Sequence, residues 1–233
     1  MTQRKALLFA SLVGLGLLAA GAALTVLDSK ADEPERASTS EERAQELQDD
    51  LLAARSKGDR DAPITIFEAS DFQCPFCRVF WEETLPLLES EYISTGKARF
   101  IFLNLPLPQL HGNALAAHEF AMCAALQDRF WPVHDLLYKH QAAWSDVPDP
   151  SRLFFAFADS AAMDRSVLQE CVVTGTVREL VQQEAEASFR SGIRSTPSFV
   201  IESGLLPGAQ PIEVWRPILD SIFTAKTASD SSR

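Results

Sequence analysis

The sequence has few cysteines and no excess of positive charge, and each of these shortages excludes a class of protein. Four cysteines in 233 residues are too few for a small scaffold held together by dense disulfides. The formal net charge is −11, which argues against general nucleic-acid binding because that requires clustered Lys and Arg. The sequence also has no internal repeat, low-complexity tract or glycine-rich phosphate loop. What remains, 46% apolar and 23% charged residues, is the composition of a globular protein.

A long uncharged run occupies residues 6–27, directly after Arg4 and Lys5. About 22 helical residues rise roughly 33 Å, enough to cross the hydrocarbon core of a bilayer. The charges on either side predict a cytoplasmic basic end at residues 1–5 and an extracytoplasmic body. An uncleaved anchor and a signal segment cleaved after Ala31 remain as alternatives, whereas a buried core helix is disfavoured because the run lacks a polar stripe. Both alternatives put the body in an oxidising compartment, where disulfides persist.

The rest of the chain alternates strand and helix signals, beginning with a polar linker and a short helix within residues 28–57. Further on, we predict strands at 62–69, 98–105, 197–201 and within 204–210, helices at 75–96 and 211–225, a kink at Pro86, and a flexible tail at 226–233.

Residues 111–189 show helical segments only. The order of elements is β-α-β, a helical block, then β-β-α, which favours parallel pairing at the start and antiparallel pairing at the end. We therefore predict an α/β, thioredoxin-like fold made of residues 58–110 and 190–225. An all-helical subdomain at 111–189 is inserted into it, and the apolar segment at 6–27 precedes it.

The sharpest chemical signal is the motif CPFC at residues 74–77, after the first predicted strand and at the start of a helix. The unpaired N–H groups and partial positive charge of a helix N-terminus favour the Cys74 thiolate. This thiolate is the attacking species in disulfide exchange, and Cys77 lies within reach to resolve a mixed disulfide. Zinc is disfavoured because Cys123 and Cys171 are isolated and the four His show no metal-binding spacing. A purely structural small disulfide is the other alternative.

A second motif, STP at residues 195–197, precedes the third predicted strand. The phrase EASDFQCPFC at 68–77, followed by RSTPSFVIESG at 194–204, resembles the DsbA-like family of extracytoplasmic thiol–disulfide oxidoreductases. The stretch AAHEFAMCAALQDRFWPVHDLLY at 116–138 is similar to the inserted helical subdomain of that family. The resemblance covers about residues 58–223.

The resemblance implies roles for individual residues. Cys74 matches the exposed nucleophilic cysteine, and Cys77 matches the buried resolving one. Pro197 matches the cis-proline that faces the active site, and Thr196 precedes it. Peptide bonds before proline are the ones that adopt the cis form readily. The tight bend at such a bond presents a backbone edge that can pair with an extended peptide. An ordinary trans turn is the alternative. Glu68 matches a buried carboxylate below the active-site disulfide, and a group in that place can accept or relay the proton of the buried thiol. The alternative is a solvent-facing residue at a strand end.

Phe76 cannot stabilise a thiolate by charge or by hydrogen bonding. We therefore expect the helix N-terminus to be the main activator of Cys74. We also expect a weaker oxidant than the strongest family members, whose potential is about −120 mV. Together with Thr196 and Pro197, Phe76 is a predicted substrate-binding residue. Asp71 is expected to fix the loop before the helix.

The second cysteine pair lies in the helical block. Some members of the resembled family carry an extra disulfide there, so the resemblance implies a structural disulfide between Cys123 and Cys171. Two buried free thiols and a second redox relay remain as alternatives. Closing such a loop stabilises a fold by roughly 3–4 kcal/mol.

The resemblance implies an enzyme that introduces disulfides into exported proteins with free thiols and is regenerated by a quinone-linked membrane oxidase. It requires no metal or organic cofactor. The alternatives are an envelope reductase or isomerase, or a peptide-binding or metal-delivery module. Metal delivery is disfavoured because no Met or His lies near the CPFC motif. Residues 28–57 are too short for the dimerisation module that isomerases of this kind usually need, and we expect a monomer, either anchored in the envelope or soluble in the periplasm.

Overall fold

The computed structural model describes residues 33–230. The basic end at 1–5 and the predicted membrane segment at 6–27 lie outside the described residues. Within 33–230, no helix is both long enough and apolar enough to cross a bilayer. The chain divides into two units, Met1–Glu42 and Arg43–Arg233. Of the first unit the structure describes the helical residues 33–42; the fold and the site below belong to the second.

Among the described residues, five strands form one sheet in the order β1-β3-β2-β4-β5. They are β1 (Ser56–Lys57), β2 (Ile64–Ser70), β3 (Ala98–Asn104), β4 (Ser198–Ile201) and β5 (Gly204–Pro207). The central strand β2 pairs in parallel with β3 and antiparallel with β4, and β4 forms an antiparallel hairpin with β5. This arrangement confirms the predicted β-α-β unit and the predicted terminal hairpin.

A helical segment connects β2 to β3. It consists of α2 (Pro75–Val79), a π-helical turn (Phe80–Thr84), α3 (Leu85–Leu88) and a second π-helical turn (Glu89–Ile93). At Pro86, where we predict a kink, the structure has a wider π turn directly before the α3 turn that contains this proline. A proline inside a helix lacks an N–H donor and crowds the carbonyl four residues earlier, and a wider turn relieves that crowding.

Residues 111–189 contain helices and no strand, as predicted. The helices are α4 (Ala114–Ala125), α5 (Phe130–Lys139), α6 (Gln141–Trp144), α7 (Ser151–Ser160), α8 (Arg165–Thr174) and α9 (Arg178–Arg190). A disulfide between Cys123 and Cys171 joins α4 to α8, with the two Cα atoms 5.9 Å apart. The stacked rings of Phe120 and Phe154, 4.9 Å between centroids, join α4 to α7.

The two ends of the described region differ from the prediction. Helix α1 (Glu33–Ala54) begins inside the predicted linker, because Pro34 occupies its first turn, where a missing N–H costs no hydrogen bond. Helix α10 (Ile212–Asp230) continues through most of the predicted flexible tail, since residues 226–230 contain no Gly or Pro to stop it.

The short edge strand β1 was not predicted. It follows α1 directly and pairs antiparallel with β3. The turn after it depends on Gly58, which has a φ of 91° and where a Cβ atom would lie 2.6 Å from the Ala98 carbonyl oxygen. Glycine tolerates both conditions because it has no side chain.

Replacing Cys123 and Cys171 together by Ala removes the disulfide between two residues that are 48 positions apart in the chain. The unfolded chain then gains conformational entropy, and we expect the free energy of unfolding to fall by about 4 kcal/mol. Urea unfolding of the wild type and the double variant, with the active-site cysteines reduced in both, measures this difference. Equal unfolding midpoints would contradict a stabilising role for this disulfide.

Candidate active site

The CPFC motif lies where β2 leads into α2. Pro75 occupies the first helical turn, where its fixed φ suits a helix start, and Cys74 is the extended residue just before it, with φ −69° and ψ 124°. Both Cys74 and Cys77 are free thiols. Cys77 is completely buried, and Cys74, implied by the resemblance to be the exposed cysteine, is only 5% exposed. Phe76 projects outward, with 64% of its surface exposed.

The loop before β4 covers Cys74. The peptide bond between Thr196 and Pro197 is cis. The Cys74 thiol donates a hydrogen bond to the Thr196 carbonyl oxygen, with the sulfur 3.3 Å from the oxygen. Because β4 pairs antiparallel with β2, and Ser198 lies opposite Ala69, this loop meets the carboxyl end of β2. The Thr196 hydroxyl is buried and has no hydrogen-bond partner.

The two thiols differ strongly in acidity. The pKa of Cys74 is lowered to about 6, chiefly because the Cys77 thiol donates a hydrogen bond to the Cys74 thiolate. Burial opposes this shift, while the Thr196 side chain and the backbone N–H groups at the helix start add to it. Burial also raises the pKa of Cys77 well above its usual range, and the Cys74 thiolate raises it further. One sulfur is therefore a thiolate near neutral pH while the other keeps its proton.

This result corrects the expectation that the helix N-terminus is the main activator of Cys74. The backbone N–H groups of Phe76 and Cys77 do contribute, but less than the Cys77 thiol. The physical reason is that a buried S–H group donates directly to the thiolate, and hydrogen bonds to charged groups are stronger than those between neutral groups.

Glu68 lies on β2, opposite Phe102 of β3 and Phe199 of β4, and is completely buried. The solvent-facing alternative is therefore wrong. Burial raises its pKa to about 8; a hydrogen bond with the Ser70 side chain opposes this rise, and the Cys74 thiolate adds to it. When Glu68 ionises, its charge raises the pKa of Cys77. Glu68 thus holds a proton at neutral pH close to the buried thiol.

Asp71 fixes the loop between β2 and α2, as the sequence predicts. Its buried carboxylate accepts hydrogen bonds from the backbone N–H groups of Gln73 (2.7 Å) and Leu107 (2.8 Å). The main chain of Asp71 forms hydrogen bonds with both cysteines. The Cys74 N–H donates to the Asp71 carbonyl oxygen (3.0 Å), and the Asp71 N–H donates to Cys77 Sγ (3.5 Å).

The helical subdomain also holds this loop. The Gln141 side-chain amide, at the start of α6, donates to the carbonyl oxygens of Phe72 (2.7 Å) and Cys74 (3.0 Å). The Tyr138 hydroxyl of α5 lies 2.9 Å from the Ser70 hydroxyl, beneath the cysteines. The inserted helices therefore help to position the site.

One residue of the site was missed by sequence reasoning. The imidazole Nδ1 of His111 lies 2.9 Å from the Asp71 carboxylate. The available signal was the parallel pairing of β2 and β3, which brings the loops after both strands to the same edge of the sheet. A histidine seven residues beyond β3 was therefore a candidate neighbour of the cysteines.

A pair of thiols with such unequal acidity is suited to exchange with other disulfides. The pair lies on a sheet that is interrupted by helices between β3 and β4, which is the arrangement of a thioredoxin-like fold with an inserted helical subdomain. A family model described as thioredoxin matches residues 52–221, and the chain belongs to that family.

Two kinds of protein are among the known relatives of this chain. Disulfide bond formation protein D of Bacillus subtilis is 25% identical over 155 residues, covering 64% of this chain and 68% of that protein. Na(+)/H(+) antiporter NhaA 3 of Salinispora tropica is 29% identical over 169 residues, covering 72% of this chain but 24% of the antiporter. The chain thus spans about a quarter of the length of that antiporter.

Among solved structures, that of α-DsbA1 from Wolbachia pipientis superposes with a TM-score of 0.68 at 19% identity. The match covers 75% of this chain and 93% of that one. At this identity the likeness shows the fold: a thioredoxin-like sheet with an inserted helical subdomain.

The main activator of Cys74 can be tested with two variants of its partner. Cys77→Ala removes the donated hydrogen bond, so we expect the pKa of Cys74 to rise from about 6 towards its usual value of about 8.5. Cys77→Ser keeps an O–H donor, and the Cys74 pKa in this variant should stay lower than in Cys77→Ala. Thiolate absorbance at 240 nm against pH measures both values. Identical titrations of the two variants would contradict this assignment.

The burial of Glu68 predicts a pH-dependent stability. Its pKa is about 8 in the folded protein and about 4.5 when the chain is unfolded, so folding loses stability as pH rises from about 4.5 to about 8. Glu68→Gln stays neutral and removes this loss. Its advantage over the wild type should grow across that range, by about 1.4 kcal/mol per unit of pKa difference at most.

Urea unfolding of the oxidised proteins, in which the active-site thiols do not titrate, measures this effect. Exposed Glu83 provides the control variant Glu83→Gln, which should follow the wild type at every pH. A stability difference between Glu68→Gln and wild type that does not change with pH would rule out a buried, proton-holding Glu68.

Proposed function

We propose that this chain is an extracytoplasmic thiol–disulfide oxidoreductase that introduces disulfides into exported proteins. The observation that carries the proposal is the low pKa of Cys74 beside a Cys77 that keeps its proton. A thiolate of low pKa is a good leaving group, and a stabilised reduced form makes the oxidised protein a better oxidant. These properties favour donating a disulfide over reducing one.

The proposed cycle starts from a disulfide between Cys74 and Cys77. A substrate thiolate attacks Cys74 Sγ, the Cys74–Cys77 bond breaks, and its electron pair leaves on Cys77, which takes a proton. A second substrate thiolate attacks the substrate sulfur of the mixed disulfide, and Cys74 leaves as a thiolate. The substrate loses two electrons and the protein gains them. Glu68, protonated at neutral pH, is the proposed proton donor to Cys77.

Substrate binding is proposed at the surface around Cys74. The backbone at Thr196, next to the cis bond to Pro197, offers a polar edge to an extended peptide. Phe76, directly before the buried Cys77 in the chain, offers an exposed apolar ring. Both lie near Cys74, whose sulfur the substrate thiolate attacks, so a bound peptide would place its cysteine against Cys74.

The proposed location is the outer side of the cell membrane. The apolar run at 6–27 after Arg4 and Lys5 supports export, with an uncleaved anchor or cleavage after Ala31 as the two forms. The disulfide joining α4 and α8 supports an oxidising compartment. A quinone-linked membrane oxidase is the proposed partner that reoxidises the protein, and the working form is proposed to be a monomer.

The reduction potential of the Cys74–Cys77 couple tests the direction of electron flow. The full chain would be equilibrated in glutathione buffers, its free thiols trapped, and the four cysteines mapped by mass. We expect a potential between about −180 and −120 mV. A potential near −270 mV would favour a reductase and overturn the proposed direction.

A second assay addresses substrates directly. The oxidised protein should restore activity to a reduced, unfolded ribonuclease, and the Cys74→Ser variant should not. Recovery from scrambled ribonuclease without net oxidation would instead favour an isomerase.

Throughout the redox titration Cys123 and Cys171 should stay paired.

A further inference from the structure

The two residues between the active-site cysteines carry no charge, but a titratable side chain reaches the site from another part of the chain. His111 lies in the loop between β3 and α4, and its Nδ1 atom is 2.9 Å from the Asp71 carboxylate. That carboxylate is completely buried, whereas the His111 side chain is 18% exposed. The imidazole is therefore held on one side and open to proton exchange with solvent.

Hydrogen bonds within the loop between β3 and α4 fix the position of His111. The Asp71 oxygen that binds the imidazole also accepts the Leu107 N–H at 2.8 Å. The N–H of His111 in turn donates to the Leu107 carbonyl at 2.9 Å, closing a tight turn. These bonds fasten the loop after β3 to the loop that precedes the CPFC motif.

Asp71 connects this arrangement to both cysteines. Its carbonyl accepts the Cys74 N–H, and its N–H donates to Cys77 Sγ. A buried carboxylate at this place would oppose a thiolate at Cys74, because like charges disfavour each other and burial weakens screening. A protonated His111 neutralises that carboxylate and leaves the thiolate without this repulsion.

The charges acting on His111 agree with this geometry. Its pKa is raised, first by the hydrogen bond to Asp71, against burial, and then by the negative charges of Asp71 and the Cys74 thiolate. Asp71, which binds His111, lies in the loop after β2, and Cys74 lies at the start of α2. An electrostatic interaction is reciprocal, so a thiolate that favours protonated His111 is itself favoured by protonated His111.

We propose that His111 is a positioning residue for the Cys74 thiolate: held by Asp71, its imidazolium supplies the positive charge that the residues between the two cysteines lack. This inference deepens the proposed function, on which it rests, because stabilising the thiolate makes the oxidised protein easier to reduce. No bond to His111 forms or breaks in the reaction, and its proton stays on the ring.

A direct test compares the titration of His111 in the two redox states by NMR. The reduced protein carries a thiolate at Cys74 and the oxidised protein does not. The pKa of His111 should therefore be higher in the reduced protein. His140, which stacks on Phe157 in the helical subdomain, serves as the internal control against which the His111 signal is compared in both states. A His111 pKa that is the same in both states would overturn the proposal.

A variant tests the reciprocal effect. His111→Asn keeps an N–H donor for Asp71 but removes the charge. The pKa of Cys74 should rise by roughly one unit, the lower end of the shift caused by a nearby opposite charge. At pH 7 the equilibrium for reduction by glutathione should fall several-fold. His140→Asn is the matched control and should change neither value.

The outcomes separate this proposal from the function on which it rests. If the wild type shows no dithiol–disulfide couple, or fails to oxidise a reduced protein, the proposed function fails. If the wild type does both, but His111→Asn keeps the Cys74 pKa and the potential of the His140→Asn control, only the role of His111 is overturned. A loss of thermal stability in His111→Asn without those shifts would indicate a purely structural histidine.

Discussion

The pairing of the central strand β2 with both of its neighbours is the constraint on which the site depends. Parallel pairing with β3 brings the loop that carries His111 to the edge where β2 ends, and antiparallel pairing with β4 brings Thr196 to the same edge. Cys74 lies between these two loops. Because strand side chains alternate between faces, a shift of one residue in β2 would turn Glu68 away from Cys77 and undo the arrangement.

Of the three acidic groups at the site, two keep their protons at neutral pH and one loses its proton. Burial holds protons on Glu68 and Cys77, while the hydrogen bond donated by Cys77 lets Cys74 lose its own at a pKa of about 6. The same low-polarity surroundings thus have opposite results at neighbouring sulfurs, because the hydrogen bonds to Cys74 outweigh its burial, whereas the single Asp71 N–H bond to Cys77 does not. This asymmetry separates attack from resolution, which dithiol exchange requires.

The inserted helices have two separate tasks. Near the cysteines, Gln141 and Tyr138 bind the loop and strand that carry the site. Elsewhere in the same subdomain, the disulfide between Cys123 and Cys171 joins α4 to α8. The active-site pair Cys74 and Cys77 and the disulfide pair therefore belong to different parts of the fold. Both pairs consist of the same side chain, so the difference between them comes from their surroundings.

The sequence by itself determined the order of strands β2 to β5 and the helical block among them, the CPFC motif at a strand–helix junction and the Thr196–Pro197 turn, because these signals lie within a few neighbouring residues. It did not reveal the two-residue edge strand β1. It misjudged where α1 begins, since a proline suits both a linker and a first helical turn. Only the tertiary structure decided that Glu68 is buried, that Cys77 is the main activator of Cys74, and that His111 reaches Asp71. Burial, pKa and contacts across 40 residues of chain depend on strand register and packing, which no local pattern records.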